Sequence, residues 1–478
     1  MMIINRLKLV QASVLMGLML FLFSCATYND RIAHYYDHIK SGNYVAANKD
    51  LDHNKLLQKD RNRLLYLLEK GKTYHLLHQP DSSNLYFNLA DDYMEQQAWS
   101  DAKDVAVGTL VNPMMEKYRG EDFEKFMIHY YKALNYLYLN KMEDALVEAR
   151  RISLQTQEQS NKFNDKTTRY SKDAFSMNLQ GMLYEAGGDM NNAFIAYRNA
   201  LETYLSSPTK TYYGVSLSKQ LEKDVIRTAY LNGFQSDVDF YQRKFNIQYQ
   251  PQHVSEGGEL ILFWENGLAP VKDEQEFFFS LLRGAGGVFY FSDPSGQMMI
   301  PFTGAAEVNM NGVNLNDFRS LRVTFPKYVP SPVYYTSATV SVSNTTTHLE
   351  KVEDINMLAI ETLKQRFAKE MATTLSRVAI KKIAEYAVRG GKGNKGDDAA
   401  SRELLAGAIQ LYSLFSEKSD TRNWQTLPAS IYYARIPLQK GKNEIQIKCR
   451  TVSGQDQSHT ITVEGTGGIT LYNYATLK

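Results

Sequence analysis

Nine histidines and two cysteines are scattered through this 478-residue sequence, and their spacing limits the chemistry each could do. His34 and His38 stand four apart and His75 and His78 three apart, so either pair could share one helix face and begin a metal site. Neither pair suggests a third ligand, and no His-Glu-x-x-His string occurs. These histidines are therefore read as groove or surface residues, with no metal expected. Cys449 sits in the alternating run Glu444-Ile445-Gln446-Ile447-Lys448-Cys449-Arg450, where a small packed residue is the ordinary reading. Glu121-Asp122 and Asp91-Asp92 read as solvated charged faces, and Glu353-Asp354 and Ser416 to Ser419 as charged helix edges. The run Arg389 to Asp398 is rich in Gly and Lys but lacks the ordered P-loop string, so it reads as an exposed loop. A nucleophile elbow, a dinucleotide fingerprint after a strand and a complete Ser-x-x-Lys set are all absent. The expectation is a non-enzyme that needs no cofactor.

Composition narrows the class of protein. At 44% hydrophobic and 22% charged residues the chain is globular, and its length suits about two to four domains. A net charge of +2 argues against a general nucleic-acid binder. Two cysteines exclude both a disulfide framework and a cysteine zinc cluster.

Residues 1–24 read as a targeting segment, with Arg6 and Lys8 preceding an apolar run from Leu9 to Phe23 that is short for a membrane span. Leu22-Phe23-Ser24-Cys25 resembles the lipobox of bacterial lipoproteins. The resemblance implies cleavage before Cys25 and lipid (palmitate among its acyl chains) on that cysteine, which would anchor the chain with no spanning helix. Ala26, rather than Asp, follows the cysteine. By the sorting rules of that class, this implies the outer membrane, and the lack of an early acidic run favours its periplasmic face.

From residue 25 to about 250 the apolar period is helical, and internal similarity suggests a repeat array. The clearest unit runs from Gln180 to Ala200. Gly181 lets two helices approach, Tyr184 follows three residues on, Gly188-Asp189 makes the turn, and Ala193, Tyr197 and Ala200 recur along the second helix. This unit resembles a tetratricopeptide repeat. Gly71, Tyr74, Phe87 and Ala90 fall at the same relative places in an earlier segment, with Ser83 where Ala is usual. Ala133, Tyr136 and Ala145 do so in another, where Asn140-Lys141 replaces the Gly-Asp turn. Stacked units of this kind form a solenoid with a concave groove, and the expectation is that an envelope protein partner binds through that groove, the alternative being a compact helical domain that merely supports the second half.

Residues 251–478 read as a β-rich α+β domain. Short β-rich runs lie between residues 259 and 342 and again between 430 and 474. A helical insertion spans about 353–416, in two helices. The last four strands, short and regularly spaced, suit a small sandwich or meander. The fold class is thus multidomain, a tetratricopeptide-like α-helical solenoid followed by an α+β domain with a mostly antiparallel sheet. Three segments resemble a poorly characterised family of bacterial lipoproteins with helical-repeat N-termini. The first contains Gly267, Pro270 and Lys272, the second begins at Arg377, and the third contains Asp420, Arg422, Trp424 and Pro428. Members of that family tend to be encoded near lipoproteins that activate peptidoglycan synthases, which implies a cell-envelope role without an established activity. Read from their chemistry alone, Asn266-Gly267 makes a turn, Pro270 and Pro428 fix chain direction, Trp424 anchors the last strands on the core, and Arg422 pairs with Asp420 or clamps a carbonyl. The functional expectation is a non-catalytic protein-interaction scaffold tethered in the periplasm. A glycan- or nutrient-binding lipoprotein is the alternative, since the chain carries 32 tyrosines.

Overall fold

Five helix hairpins order the first half of the described chain. They are α1 (Tyr28–Lys40) with α2 (Tyr44–His53), α3 (Arg63–Leu76) with α4 (Pro80–Asp104), α5 (Asp122–Tyr138) with α6 (Met142–Lys162), α7 (Ala174–Ala186) with α8 (Met190–Leu205), and α9 (Lys219–Leu231) with α10 (Gln235–Phe245). Each hairpin turns on one residue with positive φ: Gly42, His78, Asn140, Gly188 and Gly233. A left-handed residue just past a helix end satisfies the last carbonyls and reverses the chain. Asn140 and His78 do this where glycine stands in the other three. The computed structural model describes residues 27–104, 113–163, 169–251, 255–285, 288–302, 321–343, 345–389 and 418–478. Cys25 with its targeting segment, the Gly/Lys-rich run beyond Arg389 and the second helix expected at about 400–415 lie outside them. Among the described residues, no helix is long and apolar enough to cross a membrane.

Two glycines set the closeness of hairpins. A Cβ on Gly71 would stand 2.6 Å from the Phe87 ring, and one on Gly181 would stand 2.4 Å from the Tyr197 ring. In both hairpins an aromatic ring on the second helix lies flat against bare backbone on the first. Ser83, at the position where alanine is usual, donates its hydroxyl to the Gly71 carbonyl at 2.7 Å.

The second half is built from strands, after a small hairpin of β1 (Thr211–Tyr212) and β2 (Val215–Ser216). One sheet has the order β10-β11-β3-β14, formed by Glu350–Asp354, Ser430–Pro437, Glu259–Asn266 and Ile469–Thr476. The pairing of β14 with β3 is parallel, and the other pairings in that sheet are antiparallel. A second sheet has the order β13-β12-β8-β9, formed by Asp456–Gly465, Gly441–Thr451, Tyr335–Val342 and Thr345–His348. A third has the order β6-β5-β4-β7, formed by Met299–Pro301, Phe289–Ser292, Val271–Arg283 and Leu321–Val329. The coarse plan of helices followed by an α+β part with mainly antiparallel sheets is therefore what the chain adopts.

The strands β11, β3 and β14 are sandwiched between two layers, and their residues sort by alternation. Leu260, Leu262, Trp264, Ala434 and Ile436 face the second sheet, where Val340, Ile445, Ile447 and Cys449 complete one core. Ile261, Phe263, Ile431, Tyr433 and Leu471 face the other way, into a core shared with Tyr130, Phe175, Leu179 and many other helix residues. A strand buried on both faces reads as a continuous apolar run, and Leu260-Ile261-Leu262-Phe263-Trp264 is such a run. The helix α11 (Ile355–Arg389) lies against the third sheet, with Phe367 4.8 Å from Phe325 and 5.8 Å from Phe277, ring centre to ring centre.

Several expectations need correction. Of the two arrangements expected for the last four strands, a meander is not formed, and they are split between two sheets that pack on one core, as in a sandwich. β11 and β14 join the first sheet, whereas β12 and β13 form a hairpin in the second. Trp424 does not anchor those strands; it packs 5.7 Å from Phe87 and 5.9 Å from Tyr131, in the helical layer. The strands β9 and β10 were not foreseen, because Thr345 to Asp354 is mostly polar and lacks the apolar alternation that marks a strand. Finally, the inner face of the helical array is not an open groove. Side chains of α3, α5, α7 and α9 meet β3, β11, β14 and Trp424, so the chain's own second half fills it.

Candidate functional site

Burying one sheet against the helices puts charges where no water reaches, and each must find a partner. Glu265, fully buried at the end of β3, accepts from Lys72 Nζ at 2.5 Å, from the Tyr130 and Tyr131 hydroxyls at 3.1 Å each, and from Asn473 Nδ2 at 2.5 Å. Burial is the largest influence and works against its charge, but the Lys72 ammonium, nearby His75 and the hydrogen bonds from Lys72 and Asn473 together outweigh it and hold its carboxyl below the ordinary range. On β11, Arg435 reaches Glu185 of α7 at 2.8 Å and Asp224 of α9 at 3.2 Å. These two clusters fasten the helical layer to the sheet.

A third seam is open. The turn at Pro113–Met115, the chain leading into α5, β4, β7, α11 and the segment 418–422 enclose a cavity of about 300 Å³, at the small end of ligand pockets. Seven of its lining side chains are cationic and four are carboxylates. At its floor Glu121 receives Lys272 Nζ at 2.6 Å and an Arg366 guanidinium nitrogen at 2.8 Å. Burial alone would raise the Glu121 carboxyl; Arg366 and Lys272 overcome that and hold it well below the usual carboxylate range. Arg366 also reaches Glu370 at 3.1 Å, whose carboxyl is pushed up by burial. Arg422, 1% exposed, pairs with Asp420 at 2.7 Å and donates to the carbonyls of Arg61, Pro113 and Glu116 and to Asn62 Oδ1. Both expected roles of Arg422 are therefore realised at once.

Beneath the pocket lies Glu124. It accepts from the Tyr118 hydroxyl at 2.6 Å, the Trp424 backbone N–H at 2.7 Å and the Glu121 N–H at 2.9 Å. Burial, then the charge on Glu121, push its carboxyl up to about 7. Glu69, buried among Tyr35, Tyr36 and Thr426, is likewise raised by burial to about 7.

The fold gathers some family-like positions and scatters others. Lys272, Arg377 and the neighbouring Asp420 and Arg422, from three segments far apart in sequence, all line the seam pocket. Trp424 sits just below it through its bond to Glu124. Gly267, with φ 68°, makes the turn after β3, and the Pro270 carbonyl accepts from Asn423 at 2.9 Å. Pro428 is buried and leads into Ala429, whose carbonyl accepts from Ile355 at the start of α11. The repeat-like positions Ala90, Ala133, Ala145, Ala193 and Ala200 are buried between helices, while Tyr74, Tyr136 and Tyr184 are half-buried. Cys449 lies in the sheet-to-sheet core, where burial pushes its thiol up to about 11.

Sequence reasoning missed the roles of Arg366, Glu121 and Glu370, because polar helix faces and turns carry such residues routinely. It also missed Glu265 and Arg435, which had a legible signal: Glu265 follows Ile261 and Phe263, and Arg435 follows Ile431 and Tyr433, along one face of their strands. The pocket as built can seat an anionic group among Arg and Lys donors, with the hydroxyls of Thr324, Thr374 and Ser419 beside them.

No family model and no curated protein matches the chain. Among solved structures, the crystal structure of MamA is similar over 46% of this chain and 92% of its own, at 15% identity and a TM-score of 0.26. The crystal structure of BtubC (BKLC) from P. vanneervenii is similar over 46% of this chain and 82% of its own, at 15% identity and a TM-score of 0.31.

Proposed function

We propose that this chain is a non-catalytic adaptor of the cell envelope, tethered by lipid on Cys25 to the periplasmic face of the outer membrane, with tetratricopeptide-like hairpins as its helical half. Its partner is a protein that presents an acidic segment to the seam pocket. The observation that carries this reading is the pocket itself, where cations from both halves of the chain outnumber carboxylates. The closed inner face supports a single rigid body over an open solenoid groove. The lipobox-like Leu22-Phe23-Ser24-Cys25 supports the tether, and a tethered adaptor gains from effective concentration, so each contact can be weak.

In-cell crosslinking followed by affinity capture tests the proposal, comparing the native chain with Cys25→Ala and with the pocket variant Arg377→Glu/Lys418→Glu. Envelope-assembly proteins enriched on the native chain and lost from both variants are the expected result, with thermal unfolding of the pocket variant showing that it stays folded. Enrichment that survives the pocket variant would sink the pocket as the partner seat.

A second reading, an acidic-glycan binder, is favoured by the small volume and its hydroxyl lining. Its signature is a change in tryptophan fluorescence on titration with an acidic oligosaccharide, since the Trp424 backbone N–H bonds Glu124, whose carboxyl also accepts from the N–H of the pocket residue Glu121.

A further inference from the structure

Among the described residues, two clusters away from the seam each bring three metal-ligating side chains together, and one of the two lacks an internal cation. Asp91, His129 and Glu148 place donor atoms within 4.8 Å of one another in the interior. Their centre is already taken: Lys132 Nζ lies 2.5 Å from Asp91 and 3.1 Å from Glu148. The other cluster joins His34 and His38 of α1 to Asp50 of α2, again with donor atoms within 4.8 Å. Here the carboxylate's near neighbour is an imidazole, His38 Nε2, at 3.5 Å. Arg31 and Lys55 line the same depression, yet among the described residues neither comes within ion-pair distance of Asp50.

The four-residue spacing sets both imidazoles on one face of α1. The antiparallel turn at Gly42 then brings α2 back alongside, which supplies the third ligand that spacing alone could not suggest. A tetrahedral ion about 2.0–2.1 Å from each ligand holds those ligands roughly 3.3–3.4 Å apart. The 3.5 Å separation of His38 and Asp50 is already close to that. His34 is exposed, so its ring turns inward without disturbing a core. Two imidazoles and one carboxylate suit zinc and its neighbours in the first transition row, not magnesium or calcium, which favour oxygen ligands throughout.

We propose that His34, His38 and Asp50 form a site for one zinc-class divalent cation, with water in the fourth position. The ion clasps α1 to α2 in the first described hairpin. This site is separate from the seam pocket and does not depend on the adaptor reading.

Calorimetric titration of the full chain in detergent with Zn²⁺ tests it, alongside Co²⁺ absorption as a report of geometry. The expected result is one ion per chain, tetrahedral Co²⁺ bands in the visible, and a rise in the unfolding temperature with Zn²⁺. His38→Ala and Asp50→Asn each weaken binding at least tenfold and abolish the bands, whereas the exposed His348→Ala leaves both unchanged. No stoichiometric binding to the native chain would overturn the proposal, as would equal binding by native, His38→Ala and Asp50→Asn chains.

Discussion

Glu124 is a carboxyl with nowhere to send its charge. Its three donors, Tyr118, Trp424 N–H and Glu121 N–H, do not offset burial beside the ionised Glu121, and it stays protonated up to about pH 7. The sign of the resulting pH dependence follows directly. Between its ordinary value of 4.5 and about 7, the unfolded chain has lost this proton while the folded chain still holds it. Stability therefore falls as pH rises through that window, by up to about 1.4 kcal/mol per pH unit for one group. His75 acts in the opposite sense. Burial, aided by the Lys72 charge, lowers it from 6.5 to about 4, so its contribution rises with pH between those values. The difference between native and Glu124→Gln chains isolates one carboxyl. We expect that difference to shrink or reverse by ~3 kcal/mol between pH 4.5 and 7 in denaturant unfolding. A native-minus-variant difference that is flat across the window would show that Glu124 ionises normally.

At the scale of the element, the hairpins depend on close helix approach more than on helix propensity. Gly181 is the sharpest case, since an added Cβ would fall 2.4 Å from the Tyr197 ring. That ring cannot swing aside freely, because its hydroxyl donates to Glu185 at 2.8 Å and the side chain is fully buried. Gly181→Ala should therefore cost ~1–3 kcal/mol by overpacking, although alanine is intrinsically the better helix former. Gly188→Ala, at a turn with φ 82° and open space around it, should cost less and only through backbone strain. Equilibrium denaturation of the two variants ranks them, and an unchanged midpoint for Gly181→Ala would count against the tight hairpin. The helical hairpins were legible because this glycine-aromatic pairing recurs in sequence as Gly71 with Phe87 and Gly181 with Tyr197. The sheet assignments of β11 to β14 were not, since strand pairing depends on contacts such as Ile431 with Glu265 that lie far apart in sequence.

For the whole molecule, the shared core predicts shared unfolding. Phe263, Ile431, Tyr433 and Trp424 lie in the same apolar cluster as Tyr130, Phe175 and Leu179, so the helical and β-rich halves cannot separate without exposing that surface. Calorimetry of the full chain should give one cooperative transition covering both halves. Lys72→Met should lower its stability by ~3–5 kcal/mol, because Glu265 would be left as a buried charge without its cation. Adding Glu265→Gln should restore a large part of that loss. Two well-separated transitions in the native chain would mean that the interface is weaker than its burial implies.

The seam pocket shows where sequence reading ended. Lys272, Arg377, Asp420 and Arg422 stood out in the sequence as members of three separate segments, and only folding placed them around one cavity with Arg366 and Glu121. By itself the sequence determined the local features: the helical period up to Phe245, the turn residues, the strand runs and the long helix ending at Arg389. Each of these is set by neighbours a few residues away, through apolar spacing or backbone conformation. The tertiary structure alone decided that the inner face of the hairpins is closed, that Trp424 serves the helical layer, and that His34 and His38 meet Asp50. Those outcomes depend on which apolar faces cover each other, and burial energy of that kind is shared among residues tens to hundreds of positions apart.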